Sequence, residues 1–264
     1  MSVRQNQEPM YRGGIIRKTP DQLEAMAAAG EIQARCLSML EAKCRPGVTT
    51  AELDQAAERF IRSQGGVPSF KGYRGFPGSI CASPNSMVVH GIPGPYELQR
   101  GDVLSLDVGV TFEGWVADAA ITVPLGKVSE EAGELLRTTR AALFEGIAQA
   151  RAGNRLSDIS HAVQTRVEHD GLSVIRSLVG HGIGRDMHED PQIPNFGEPG
   201  KGPVLEEGMV LAIEPMVNAG GPDIRMGSDG WAVYSEDDSL AAHFEFTVAV
   251  TSDAPRVLTP WHER

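Results

Sequence analysis

Two ten-residue stretches of the chain repeat one another: 98–107 reads LQRGDVLSLD and 205–214 reads LEEGMVLAIE. Leu98/Leu205, Gly101/Gly208, Val103/Val210 and Leu104/Leu211 are identical, and the stretches end on Asp107 and Glu214. Their surroundings repeat as well. Each is preceded by a helical pattern, an Arg-x-Gly break (Arg45-Pro46-Gly47 and Arg151-Ala152-Gly153), a second helical pattern, a short strand and a His-Gly-Ile (90–92 and 181–183). The same order of elements in both halves predicts an internal duplication. With only two copies, this predicts two αβ halves that join their strands in one sheet and place their helices on its outer face. The acids ending both copies then converge near the pseudo-symmetry axis.

The local signals agree. Thr19-Pro20-Asp21-Gln22 and Thr49-Thr50-Ala51-Glu52 have the form of capping boxes. They predict helices carrying Leu23, Met26, Leu37 and Leu40, and then Leu53, Ala57 and Ile61. In the second half, Leu135, Leu143 and Ile147 mark one helix. Ile159 and Val163 mark another, with Ser157 as its expected cap. Within 101–118, Leu104, Leu106, Val108 and Val110 alternate with Ser105, Asp107 and Gly109, the period of a strand. A turn at 112–114, centred between Phe112 and Glu113, sets Asp107 directly opposite Asp118. Two such carboxylates repel one another.

A cation removes that repulsion, and the duplicated layout supplies further donors. Glu214 ends the second copy. Glu245 alternates with Phe244 and Phe246 on a late strand, and His181 lies between glycines. The candidate ligands are Asp107, Asp118, His181, Glu214 and Glu245. Four carboxylates are balanced by two divalent cations, with two acids bridging. This donor set suits Mn²⁺, Fe²⁺, Co²⁺ or Zn²⁺ rather than a thiolate zinc site. Metals so held activate water and polarise a carbonyl, which points to hydrolysis of an amide or ester. His90 and His188 fit polar roles around the site or on the substrate. His161, His169 and His262 receive no role.

Composition excludes other classes. A net charge of −11 over 264 residues offers nothing to a nucleic-acid backbone or an anionic membrane. Three cysteines without a CxxC suggest neither a disulfide framework nor a cysteine zinc site, and favour a reducing compartment. No apolar run approaches a membrane span, and the first residues lack a secretory h-region. Phosphate-binding glycine motifs and a GxSxG elbow are absent. A Cys81 nucleophile paired with His90 would leave the four acids unexplained.

The motifs NSMVVHGIP, LSLDVGV, VADAAITV, GHGIGRDMHEDPQIPNF, LAIEPMV and HFEFTVAVT, spread from about Thr19 to Thr251, resemble those of the type I methionine aminopeptidases. The resemblance implies an α+β pita-bread fold, two pseudo-symmetric αβ halves forming one curved antiparallel sheet with helices outside. It implies a loose lead at 1–18, one catalytic domain at 19–255 (repeats 19–126 and 127–255) and a tail at 256–264. It further implies that Asp107 holds one ion and His181 and Glu214 the other, while Asp118 and Glu245 bridge both. His90 and His188 would contact the substrate, and Glu214 would shuttle the proton. Tyr73, Phe76, Cys81, Met187 and Trp231 match the methionine pocket, whose sulfur and aromatic surfaces suit a thioether. The implied activity is removal of the initiator methionine from nascent peptides when the next residue is small. That activity implies transient ribosome contact, while the short lead and acidic charge point to a monomer, and the composition to a cytoplasmic chain with no membrane or specific nucleic-acid partner. Three departures bear on pocket shape: Phe70 where some members have cysteine, Ser86 in place of an acid, and Gly109 where threonine is common. Xaa-Pro aminopeptidases or prolidases, which usually carry an added N-terminal domain, and inactive peptide-binding modules, which typically lose ligands, are the alternatives.

Overall fold

The computed structural model describes residues 14–261. Residues 1–13 of the expected lead, and His262, lie outside the described residues.

Four helices form where the caps and periods place them: α1 (Pro20–Lys43), α2 (Thr50–Ser63), α3 (Glu130–Gln149) and α4 (Leu156–His169). Both capping boxes are present. Thr19 Oγ1 accepts from Gln22 N at 3.4 Å while Gln22 Oε1 accepts from Thr19 N at 3.0 Å. Thr49 and Glu52 exchange the same pair of bonds at 2.8 and 3.2 Å. Each cap is worth about 1 kcal/mol. The expected cap at Ser157 is corrected: the N-cap is Arg155, two residues earlier, and Asp158 reaches back to accept from Arg155 N at 2.8 Å. Ser157 Oγ instead accepts from Lys201 N at 2.7 Å, tying the helix start to the 200s loop.

The strands assemble into an antiparallel sheet whose main path runs Val67–Pro68, Val103–Phe112, Trp115–Pro124, Glu245–Ala249, Val210–Ile213, Val179–Gly182, Glu189–Pro194. Cys81–Pro84 also pairs with Val103–Phe112, and Arg256–Val257 with Glu245–Ala249. The helices bury one face of this sheet. Leu37, Leu40, Leu53 and Ile61 join Leu104, Leu106, Val108 and Val110 in one core with Leu135, Leu143, Ile159, Leu211, Ile213, Phe246 and Val248. Burying each such side chain contributes about 1.5–3 kcal/mol. That gain fixes the register, because a one-residue slip would drive Asp107 and Asp118 into this apolar layer.

The duplication is visible in the backbone. Gly47 N donates to Leu98 O and Gly153 N to Leu205 O, both at 2.9 Å. The isolated bridge Thr49↔Glu97 has its counterpart in Arg155↔Val204. Gly101 and Gly208 both take positive φ, 94° and 89°.

The hairpin register differs from expectation. Phe112 pairs with Trp115, so the turn is the two residues Glu113 and Gly114, both at positive φ (49° and 75°). Such a turn matches the twist of paired strands. It shifts the pairing so that Asp118 faces Gly109 and Asp107 faces Ala120. The aspartates are diagonal neighbours on one face rather than directly opposed.

Candidate metal centre

The strand registers bring all five expected ligands to the sheet face opposite the helices. Cys81, Asp107, Ala120 and Glu245 are successive partners across four strands. Glu214 follows Ile213, which pairs with Phe246, and so arrives beside Glu245. The neighbouring row holds Asp118 and, three strands beyond it, His181, which pairs with Ala212. One ligand atom each from Asp118, His181 and Glu245 lie within 4.8 Å of one another. His181 Nε2 stands 3.6 Å from Glu214 Oε1.

The backbone holds these groups tightly. Thr247 Oγ1 accepts from Asp118 N at 3.0 Å and donates to Asp118 O at 2.8 Å. Asn195 Nδ2 donates to Glu214 O at 2.9 Å. His181 Nδ1 lies 2.9 Å from Gly182 O, so Nδ1 carries the proton and Nε2 keeps a free lone pair toward the acids.

The electrostatics are those of too many acids in a dry place. Burial raises Asp107 well above the usual carboxylate range, and the charges of Asp118 and Glu214 add to it. Burial lifts Asp118 to about 7, against a hydrogen bond from Asp107. Glu214 and Glu245 are raised by burial first and by neighbouring carboxylates second. Burial lowers His181 to about 4 and keeps it neutral.

Asp107 Oδ1, Asp118 Oδ1 and Glu245 Oε1 are buried without a hydrogen-bond partner. Several buried, unpaired carboxylate oxygens around a neutral imidazole are a costly arrangement for a protein alone. The residues therefore fit a divalent cation.

This floor opens into a cleft of about 1290 Å³ that is also lined by His90, His188 and Trp231. His188 Nδ1 lies 2.8 Å from Tyr73 Oη, and its ring centroid is 4.3 Å from that of His181. Burial lowers His188 to about 2, so it meets the cleft as a neutral ring. His90 stands on the wall in a left-handed conformation, φ 59°. The five expected pocket residues also come together. Phe76, Cys81 and Met187 are buried in one cluster with Tyr73 and Trp231 against it, and the Phe76 and Trp231 rings meet edge-on at 5.1 Å. Cys81 has its thiol pushed well above the usual range by burial and then by the carboxylates, so it stays protonated and is a poor nucleophile.

Residues 24–252 match the metallopeptidase family M24. The chain belongs to that family. Its relatives within M24 include the methionine aminopeptidase of Clostridium perfringens, 51% identical over 245 residues that cover 93% of this chain and 98% of the relative. The solved methionine aminopeptidase from Thermotoga maritima is 42% identical and superposes with a TM-score of 0.92, covering 93% of this chain and 99% of that one. An Xaa-Pro dipeptidase from Bacillus anthracis shares the fold alone, at 22% identity and a TM-score of 0.73, with 92% of this chain matching 62% of that one. This M24 chain is thus a metallo-aminopeptidase with a pita-bread fold. Among its described residues no helix is long and apolar enough to cross a membrane.

Two features escaped the sequence reading. His243, which ends the strand Ala241–His243 two residues before Glu245, reaches the site with Nε2 3.5 Å from Glu214 Oε2. The alternation seen around Glu245 could have found it. Lys18 Nζ bonds Glu189 Oε2 at 2.5 Å in a pair that is 2% and 6% exposed. No sequence signal links residues 171 positions apart.

Proposed function

We propose that the chain removes the initiator methionine from peptide N-termini when the second residue is small, using two divalent ions of the Mn²⁺, Fe²⁺, Co²⁺, Zn²⁺ group. One observation carries this reading: four buried or half-buried carboxylates and an imidazole share one sheet face beneath a cleft, and Trp231 on the cleft wall belongs to an aromatic and sulfur-rich cluster. Asp107, Asp118, His181, Glu214 and Glu245 would hold the ions, with Asp118 and Glu245 shared between them. Ions bound there supply Lewis acidity, lowering the pKa of water and polarising an amide carbonyl.

The protein's own groups do the rest. Tyr73, Phe76, Cys81, Met187 and Trp231 receive the methionine side chain and exclude water around it. His90 and His188 contact the scissile amide. Tyr73 Oη fixes the His188 ring, so its Nε2 keeps one direction toward substrate. Glu214, with its carboxyl raised by burial, takes the proton of the attacking water and passes it to the departing amine. Residues 19–255 act as one catalytic domain of two pseudo-repeats. The enzyme works as a cytoplasmic monomer on nascent chains, with transient ribosome contact.

The test is metal-dependent release of methionine from Met-Ala-Ser but not Met-Lys-Ser, abolished in Asp118→Asn. Cleavage of Xaa-Pro dipeptides instead would favour a prolidase. Failure with all four metals would leave a peptide-binding module.

A further inference from the structure

We propose that His243 is a sixth protein ligand, a second imidazole on the ion that Glu214 and Glu245 hold. The proposal rests on the metal reading above and adds a donor to it.

The first observation is geometric. His243 Nε2 lies 3.5 Å from Glu214 Oε2 and 3.9 Å from Glu245 Oε2. One ligand atom each from these three residues lie within 4.8 Å of one another. Metal–N and metal–O bonds of about 2.0–2.2 Å place two donors on a tetrahedral ion about 3.3–3.6 Å apart. The 3.5 Å spacing to Glu214 is that of co-ligands, and the 3.9 Å spacing to Glu245 is about 0.3 Å longer than that range. His181 Nε2 stands 3.6 Å from the other oxygen of Glu214, so that carboxylate has an imidazole at each end.

The second observation is burial without satisfaction. His243 is 2% exposed, and neither ring nitrogen has a hydrogen-bond partner. The backbone around it is fixed: Thr122 Oγ1 accepts from His243 N at 2.9 Å and donates to His243 O at 2.8 Å. A ring held in place, buried and unbonded beside two acids has its lone pair available for a cation.

The third observation comes from the duplication. Asp107 ends one copy of the repeat and Glu214 the other. Two residues on, Gly109 pairs with Asp118 in the first half, and Met216 pairs with His243 in the second. His243 therefore occupies in the second half the position that Asp118 occupies in the first. The duplicated site presents an acid on one side of its axis and an imidazole on the other. The extra nitrogen makes the donor set more favourable to Zn²⁺ and Co²⁺ relative to Mn²⁺.

The experiment uses the full chain saturated with Co²⁺ and proton NMR. Each imidazole bound to Co²⁺ through Nε2 gives one strongly shifted, exchangeable N–H resonance. The expected result is two such resonances in the wild type, from His181 and His243, and one in His243→Gln. A single resonance in the wild type would overturn the sixth ligand while leaving the metal site intact. The absence of any shifted resonance would overturn the metal reading, and this proposal with it. The wild-type count decides even where His243→Gln fails to fold.

Discussion

Threonine in place of Gly109 would collide with the pocket wall. A Cβ at position 109 would lie 2.7 Å from Phe70 Cε1, 2.8 Å from Met187 Cε and 3.1 Å from Ser69 Cβ. Gly109 lies on the site face of its strand, next to Asp118. Phe70 is 9% exposed and meets Phe76 edge-on with centroids 6.5 Å apart, so its ring has little room to retreat. Met187 is flexible and can yield. Overpacking of this kind costs about 1–3 kcal/mol. Gly109→Thr should therefore lower stability by that amount in urea unfolding, and raise KM for Met-Ala-Ser more than it lowers kcat, because the displaced Phe70 and Met187 border the pocket. Phe70→Cys removes the ring and is destabilising alone through the cavity it leaves. The double variant should be more stable than the two single effects predict, by about 0.5–3 kcal/mol. Additivity of the two, within about 0.5 kcal/mol, would refute the claim that the Phe70 ring and the missing side chain at 109 share one space.

Lys18→Met should cost about 3–5 kcal/mol in urea unfolding, because it leaves Glu189 buried with only the backbone donors Arg185 N and Asp186 N. A loss under about 1 kcal/mol would show that the pair does not anchor the loop carrying Met187 and His188. Protonation gives a further prediction. Asp118 is raised to about 7 in the folded chain, so the metal-free fold holds a proton that the unfolded chain releases above about 4. Across that window the folded state binds more protons, and its stability falls as pH rises from about 4 to about 7. The melting temperature of metal-free protein should drop over this range, and drop less in Asp118→Asn; an equal drop in both would refute the assignment.

Much of the site was legible because its residues sit where period and repetition both speak. Asp107 and Glu214 end the two copies of one motif, and Glu245 alternates with core phenylalanines. The capping boxes at Thr19 and Thr49 were readable because a cap is local chemistry. The hairpin register was not, since Glu113 takes a positive φ that its residue type does not advertise. One residue of turn then decided whether the aspartates oppose or stand diagonally. His243 was hidden among apolar neighbours on a strand that read as core. The Arg155–Asp158 cap forms in place of the more usual Ser157 cap, because the serine hydroxyl serves another loop. Departures at Phe70 and Gly109, separate in the sequence, become one steric fact only when the strand is folded.

The most direct test of the central claim is equilibrium binding of Co²⁺ to the metal-free chain and two variants, followed by calorimetry. The wild type should bind two ions, Asp107→Asn should retain one, and Asp118→Asn should weaken both. Wild-type stoichiometry and affinity in Asp118→Asn would contradict that claim.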